Sequence, residues 1–497
     1  MEKTKDYTKR NLWFYPMGTV GRDMMYALFT SFVLTYILLT RTLTNAQYIA
    51  ITAIMIGARV FDALNDPIMG WIIEKTRTKW GKFKPWLAAG VLSTAGVIIT
   101  IFNVTIQGWW FVVIFGIIYF LYSITFTMND ISYWGMVPAL SSDADLRNQF
   151  TSRAVFFAGI GSALAGLLIP MLTVGSLSIT GSAQTSYGIL SIAISIIACG
   201  TICFTLFGVK EPNLAVKVEG EAAPRTKLKD VIKIIAKNKP LVWIIIAFLI
   251  HSVGNAIVSG GLGSTYVYFA YGYEGSKYSL FSTIGLAVTA ILMIIYPMIS
   301  RKINRKPLMS IMLIVSVVGY ALMILSGFIF VGNDIGFWIL TAGYSLANFG
   351  QYGFYLIMMI SILNTVEYNE YEFGERQEGI IASVRPFITK LASAIVVGLT
   401  SISYLVFGVL NYTNEISELE QSCTKGEITE AAKLSEIATV IGNVDSGQKI
   451  GLLLFMTVLP LVLLLASYFI YKFKYTLDED EYKRICDEIQ ARKESKE

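Results

Sequence analysis

Apolar stretches long enough to cross a bilayer alternate with polar connections along the whole chain. Twelve can be placed, near residues 16–40, 47–73, 86–105, 108–132, 152–175, 186–208, 240–270, 279–299, 307–331, 336–363, 380–410 and 450–472. A bilayer core of roughly 30 Å takes about 20 apolar residues of helix to cross. Lipid offers no partner for a backbone N–H or C=O, so segments of this length are read as helices that satisfy themselves. The pattern predicts an all-α integral membrane protein with 12 transmembrane helices.

Charge along the connections sets the orientation. "EKTRTKWGKFKPW" (74–86), the 209–239 stretch, "RKINRKP" (301–307) and both ends of the chain are rich in Lys and Arg. The intervening connections are short and nearly uncharged, or acidic like 411–449. By the positive-inside rule both termini face the cytoplasm, in a multi-pass protein of the plasma (inner) membrane. The 209–239 segment is the longest cytoplasmic connection and divides the spans six and six. It separates an N-terminal six-helix bundle (1–208) from a C-terminal one (240–474), with a cytoplasmic tail at 475–497. A faint repeat agrees: "DPIMGWIIEKTRTKWGKFKPWL" after the second span is echoed by "YPMISRKINRKPLM" after the eighth. Two parallel six-helix halves characterise the major facilitator fold. The 411–449 loop reads as two short helices on the outer side, and the tail as a solvated cytoplasmic helix.

Composition narrows the function classes. Of 497 residues, 54% are hydrophobic and 15% charged, against roughly 25% charged in soluble proteins. The amino end is polar and basic without a small-residue cleavage pattern, so no removable signal peptide is expected. The net charge of +5 is accounted for by membrane topology, and no nucleic-acid partner is expected. A single histidine, His251, excludes a multi-histidine metal centre, and the four cysteines lack metal spacing. With no nucleophile–base pair and no resident cofactor implied, the chain does not read as an enzyme.

Charges inside the apolar runs are the chemistry left to explain. The second span reads "YIAITAIMIGARVFDALNDPIMGWII" and holds Arg59, Asp62 and Asp66. A charged group near the centre of a membrane helix costs about 2.5–3.5 kcal/mol on insertion scales, so three need partners and a wet face. Asp62 and Asp66 stand four apart on one helical face, Arg59 lies one turn before Asp62, and Asn65 adds an amide oxygen. The fourth span contributes Thr127 and Asp130 from "ITFTMNDISYWGMVP", with Trp134 one turn on. Carboxylates, an amide and a hydroxyl form an all-oxygen set of the kind hard cations and protons prefer. The competing reading is a structural ion-pair network around Arg59. Arg22 and Asp23 are adjacent in the first span; Arg385 and Lys390 lie among apolar residues of the eleventh. A deep lysine opposite acidic helices suggests a charge pair that forms and breaks as the halves rock.

"RVFDALNDPIMGWIIEKTRTKWGKFKPW" resembles the signature of the glycoside–pentoside–hexuronide:cation symporters, and the resemblance covers nearly the whole chain. It implies a sodium site at Asp62, Asn65, Asp66, Thr127 and Asp130, with Asp62, Asp66 and Asp130 as the metal-binding carboxylates. It implies a sugar site at Arg22, Asp23, Asp130 and Trp134, with Tyr355 at the position of a family Trp. Arg59, Arg153 and Lys390 become coupling or gating residues. Three positions depart from the family's best-studied member. Val155 stands where it has a sugar-binding Arg, with Arg153 nearest; Tyr355 replaces the Trp; Pro386 replaces a Thr.

These readings together lead us to expect a monomeric secondary active symporter in the lipid bilayer. It would import a sugar or glycoside with a monovalent cation, sodium or alternatively a proton, by alternating access. A carrier of amphipathic lipids on the same fold is the rival within transport; a glycoside sensor is the rival outside it.

Overall fold

The computed structural model describes residues 2–141, 143–210 and 228–494. Most of the expected central linker (211–227) and the last three residues of the tail therefore lie outside the described residues. Among the described residues, eighteen α-helices account for nearly all of the chain. They are α1 (Glu2–Met17), α2 (Thr19–Thr40), α3 (Asn45–Lys75), α4 (Lys84–Asn103), α5 (Gly108–Leu140), α6 (Ala144–Thr173), α7 (Ala183–Cys203), α8 (Leu228–Lys237), α9 (Lys239–Ala256), α10 (Gly263–Tyr271), α11 (Gly275–Ser300), α12 (Arg305–Ile329), α13 (Asp334–Phe373), α14 (Glu378–Val406), α15 (Val409–Thr424), α16 (Glu430–Gly442), α17 (Ser446–Lys474) and α18 (Glu479–Glu494). Among the described residues the sole β pairing is an isolated bridge between Thr78 and Gly81.

Among the described residues, eleven helical segments are long and apolar enough to span, and twelve if a bent pair counts as one. That pair is α3, bent by 43° between Asn45–Asp62 and Asn65–Lys75. Pro67 lies inside the helix. Its ring cannot donate to the carbonyl of residue 63 and crowds it, which is the usual cause of such a bend. The helix thus opens beside the residues singled out in the sequence. Several helices outrun their apolar cores. α13 continues through "NTVEYNEYEF" because those residues tolerate a helix. It stops at Gly374, whose φ of 74° suits a residue without Cβ.

The chain forms two compact units, one comprising Met1–Val218, Val267–Thr283 and Ser401–Asp445, the other Glu219–Tyr266, Ile284–Thr400 and Ser446–Glu497. In the first, α2 packs on α6 and α7, α3 on α5, α4 on α5 and α7, and α15 on α2 and α16. Close approach of α4 to α5 depends on Gly90, where a Cβ would come within 2.7 Å of the Asn129 backbone nitrogen. This unit includes residues 267–283 and 401–445, which come late in the chain. Side-chain hydrogen bonds fasten them: Asn414 bonds both the N–H and the carbonyl of Leu43, and Ser279 donates to the Leu167 carbonyl.

In the second unit α12 packs on α13 and α17, and α9 on α17 and α13, around a core that includes Phe248, Met309, Phe354 and Leu464. The tail corrects one expectation. Rather than standing in solvent, α18 lies on α13, with Ile485 and Ile489 in the core cluster. Their four-residue spacing makes one apolar stripe on an otherwise charged helix. Arg305 and Lys306 at the start of α12 pair with Glu479 (2.9 Å) and Asp478 (3.3 Å) at its foot.

Candidate functional site

Within the first unit, α2, α3 and α5 carry the polar residues that their apolar surroundings make costly. α3 and α5 meet in matching register. Ser123 Oγ donates to Asp62 Oδ1, and one turn on Thr127 Oγ1 donates to Asp66 Oδ1 at 3.2 Å. Both pairs are 61 residues apart in sequence, so a four-residue step on one helix matches a four-residue step on the other. Asn65 is buried between the two aspartates, with an amide nitrogen that has no partner. Arg59 is within electrostatic reach of Tyr26, Tyr119, Tyr122 and Asp62. The acidic face is therefore built from hydroxyl donors on α5 and one guanidinium on α3.

Further along α5 the charges meet α2. Arg22 Nε lies 3.1 Å from Asp23 Oδ2, and its Nη1 lies 3.1 Å from Asp130 Oδ1. The guanidinium is only 5% exposed, Asp23 16% and Asp130 42%. Arg22 thus spans two carboxylates from the buried side and leaves Asp130 open to an incoming group. It also lies over the rings of Tyr133 (4.9 Å) and Trp134 (5.5 Å). Tyr133 in turn stacks on Tyr15 at 4.4 Å, and each phenol donates to the other residue's carbonyl, at 2.7 and 2.8 Å. This pair fixes the floor under Arg22, and the half-buried Trp134 stands at right angles to Tyr133. A carboxylate beside an indole face suits a ring that carries both hydroxyls and C–H surface.

The structure brings together Arg22, Asp23, Asp130 and Trp134 as one group, and Asp62, Asn65, Asp66 and Thr127 as the next. Among the described residues no three carboxylate, imidazole or thiol groups converge as a metal site. Of the three aspartates expected to share a cation, Asp62 accepts from Ser123, Asp66 from Thr127, and Asp130 pairs with Arg22. Arg153 donates to the Leu12 carbonyl (3.2 Å) and lies over Trp13 (5.0 Å), on α1. In the second unit Arg385 donates to Tyr355 Oη at 2.6 Å, and Tyr355 stacks on Tyr352 at 5.4 Å. Lys390 is half-buried on α14, which also contains Pro386 and runs on through it. All four cysteines are free thiols; Cys203 donates to the Cys199 carbonyl, a packing contact.

Three contributors were missed in the sequence. Ser123 sits one turn before Thr127, and the series 123, 127, 130, 134 is a legible helical stripe. Tyr133 was hidden by its neighbour Trp134. Tyr15, which precedes the first apolar run, carried no signal at all.

Comparison with known proteins extends this picture. Residues 14–479 match the family model described as MFS/sugar transport protein. The lactose permease of Lactobacillus helveticus is 26% identical over 494 residues, covering 96% of this chain and 71% of that protein. The raffinose carrier protein of Pediococcus pentosaceus is 25% identical, over 84% of this chain and 64% of the relative. A Bacillus subtilis protein described as an uncharacterized symporter is 23% identical and covered over 94% of its length. The chain spans 62% to 72% of the length of the matched lactose and raffinose carriers. Among solved structures, a bacterial homologue of the lysosomal transporter Spinster aligns with a TM-score of 0.60 at 8% identity, covering 95% of this chain and 98% of that one. A D-xylose–proton symporter aligns at 0.55 and 13%, covering 89% and 99%. Both show a shared fold.

Proposed function

The chain belongs to the MFS/sugar transport protein family of glycoside–pentoside–hexuronide:cation symporters, and from that premise we propose that it imports a sugar or glycoside coupled to sodium. The observation that carries the reading is the in-step pairing of the α3 carboxylates with α5 hydroxyls, one turn along α5 from the Arg22-held Asp130 and Trp134. Sodium, as co-substrate, would draw on the oxygens of Asp62, Asn65, Asp66, Thr127 and Ser123. The backbone carbonyl that Pro67 leaves without an N–H partner adds one more. Replacing hydroxyl donors by a cation relieves repulsion between Asp62 and Asp66 and fixes the α5 stripe. Asp130 is then held for the sugar, with Asp23 and Arg22 on its hydroxyls and Trp134 against one ring face.

Coupling follows from charge. Two carboxylates in a low-dielectric interior are costly without their cation, so the half-loaded carrier resists closure more than the loaded one. Arg59 offsets part of this charge in every state. One chain suffices, in the inner membrane with both termini cytoplasmic, and no bound cofactor is needed.

The test is uptake by the purified protein in sealed vesicles, with labelled glycosides, pentosides and hexuronates, with and without an inward sodium gradient. The expected result is sodium-driven accumulation of one sugar that is lost in Asp66→Asn while downhill exchange persists. Accumulation driven by a proton gradient alone would replace sodium by the proton. No sugar flux from folded protein under any gradient would end the symporter reading.

A further inference from the structure

Away from that polar row, the α15–α16 hairpin holds an ion pair shut off from solvent. Lys433 Nζ lies 2.9 Å from Glu420 Oε1, and each side chain is 1% exposed. Every partner is supplied by another segment of the same compact unit. Lys433 donates to the Gly181 carbonyl (2.5 Å), Tyr273 Oη donates to Glu420 Oε1 (2.9 Å), and the Ala183 N–H donates to Glu420 Oε2 (2.7 Å). Beside them Ser182 Oγ and Thr424 Oγ1 are 2.5 Å apart, and Glu274 accepts from both the hydroxyl and the N–H of Ser176. Gly181, at φ 73°, turns the chain so that its carbonyl meets the ammonium.

Three pieces of chain therefore meet here: the α6–α7 connection, the α10–α11 turn and the 411–449 hairpin. The first precedes the midpoint of the spans and the other two follow it. A connection from α14 to α17 needs no buried charges. An ion pair in such a place adds little net stability, because lost hydration offsets the attraction. Burial pushes the Glu420 carboxyl above its ordinary range in spite of Lys433. What the pair supplies instead is a joint with one geometry that can open: once parted, both groups regain water, whereas one left buried alone cannot stay.

We propose that the Glu420–Lys433 pair is a latch that fastens the 411–449 hairpin and the α10–α11 turn onto the α6–α7 connection, holding the outer side of the carrier shut between loading events. The proposal rests on the transporter reading above and on the orientation that loop charge assigns. The same seam continues inward through Asn414 with Leu43 and through Thr52 with Ser401, whose hydroxyls are 2.9 Å apart. Thr52 is 8% exposed here, and it would meet water when the latch parts.

The first experiment labels Thr52→Cys with a membrane-impermeant maleimide applied from outside, in full-length protein whose four native cysteines are replaced by serine. Glu420→Gln leaves Lys433 buried beside a neutral partner, and the expected result is labelling about tenfold faster than in the parent. Adding Lys433→Met removes the stranded charge and should return labelling toward the parent rate. Labelling unchanged by Glu420→Gln in folded protein would overturn the latch. The second experiment does not depend on that variant folding. Ser182→Cys with Thr424→Cys, oxidised to a disulfide, should stop uptake reversibly, with recovery on reduction. Uptake continuing with the disulfide fully formed would also overturn the proposal. Faster labelling in Glu420→Gln with no sugar moved by any variant would keep the latch and sink the sugar reading instead.

Discussion

At the residue scale, the polar row on α3 and α5 separates groups that make the site from groups that hold it. Ser123 is the clearest case. Its hydroxyl meets Asp62 as Thr127 meets Asp66, yet it can be removed without leaving a charge stranded. In the proposed site sodium displaces that hydrogen bond, and Ser123 Oγ turns from a donor to Asp62 into an oxygen ligand of the ion. Ser123→Ala removes that ligand and should therefore raise the sodium concentration for half-maximal uptake, with maximal uptake retained. A sodium titration of uptake checks this, and an unchanged half-point would remove Ser123 from the cation site. Asp62, Asn65, Asp66 and Asp130 were legible because a charge or amide in an apolar run is too costly to be incidental. Ser123 and Tyr133 were not, since hydroxyls and phenols occur throughout membrane helices, and hydroxyls there bond their own backbone, as Thr30 and Thr100 do here.

At the element scale, α18 shows where hydropathy alone misleads. Read as a run, "DEDEYKRICDEIQARKESKE" is too polar to pack; read as a helix, it has one apolar stripe that buries Ile485 and Ile489. Its anchor is electrostatic. Burial works against ionisation of Glu479, but bonds from the Arg305 backbone N–H and guanidinium prevail and hold its carboxyl below the ordinary value of 4.5. A lowered carboxyl contributes docking strength that is full above its ordinary value and is lost as pH falls through the lowered one. Ile485→Asp should release the helix at neutral pH and lower the unfolding temperature of purified protein, the cost of a polar group in an apolar site being about 1–3 kcal/mol. Glu479→Gln should reduce the acid-side weakening to the part that Asp478, paired with Lys306, contributes, and should weaken docking at neutral pH by leaving the buried Arg305 without its carboxylate. A melting temperature that ignores Ile485→Asp would mean that the docked tail contributes nothing. The apolar cores of the spans were legible, since length and apolarity set them, but α5, α6 and α13 run eight to ten residues beyond the expected limits. The packing of 401–445 with the first unit was not, because it depends on hydrogen bonds such as Asn414 to Leu43 across 371 residues.

At the scale of the whole molecule, parity decides orientation. Eleven spans would put the two ends of the chain on opposite sides of the membrane, and twelve would put them on the same side. The difference is α3 alone, bent by 43° at Asp62–Asn65. A re-entrant α3 would turn back at the bend and leave the basic turn 74–84 on the same side as the α2–α3 connection at 41–44. The charge pattern argues against that. Lys75, Arg77, Lys79, Lys82 and Lys84 would then share a side with a connection holding Arg41 alone, and the alternation of basic and neutral loops would break from there onward. A crossing α3 also carries Asp62 and Asp66 through mid-membrane, where a coupled cation has to be handled. The native thiols provide the measurement. Cys423 lies on α15, between the eleventh and twelfth spans, and Cys486 on α18, beyond the last. With one cysteine kept at a time, an impermeant thiol reagent on intact cells should label Cys423 and spare Cys486, and a tag at the amino end should be protected as Cys486 is. An amino end exposed outside while Cys486 stays protected would make α3 re-entrant. That result would place the two aspartates at a loop tip, and the cation route would have to be redrawn around it.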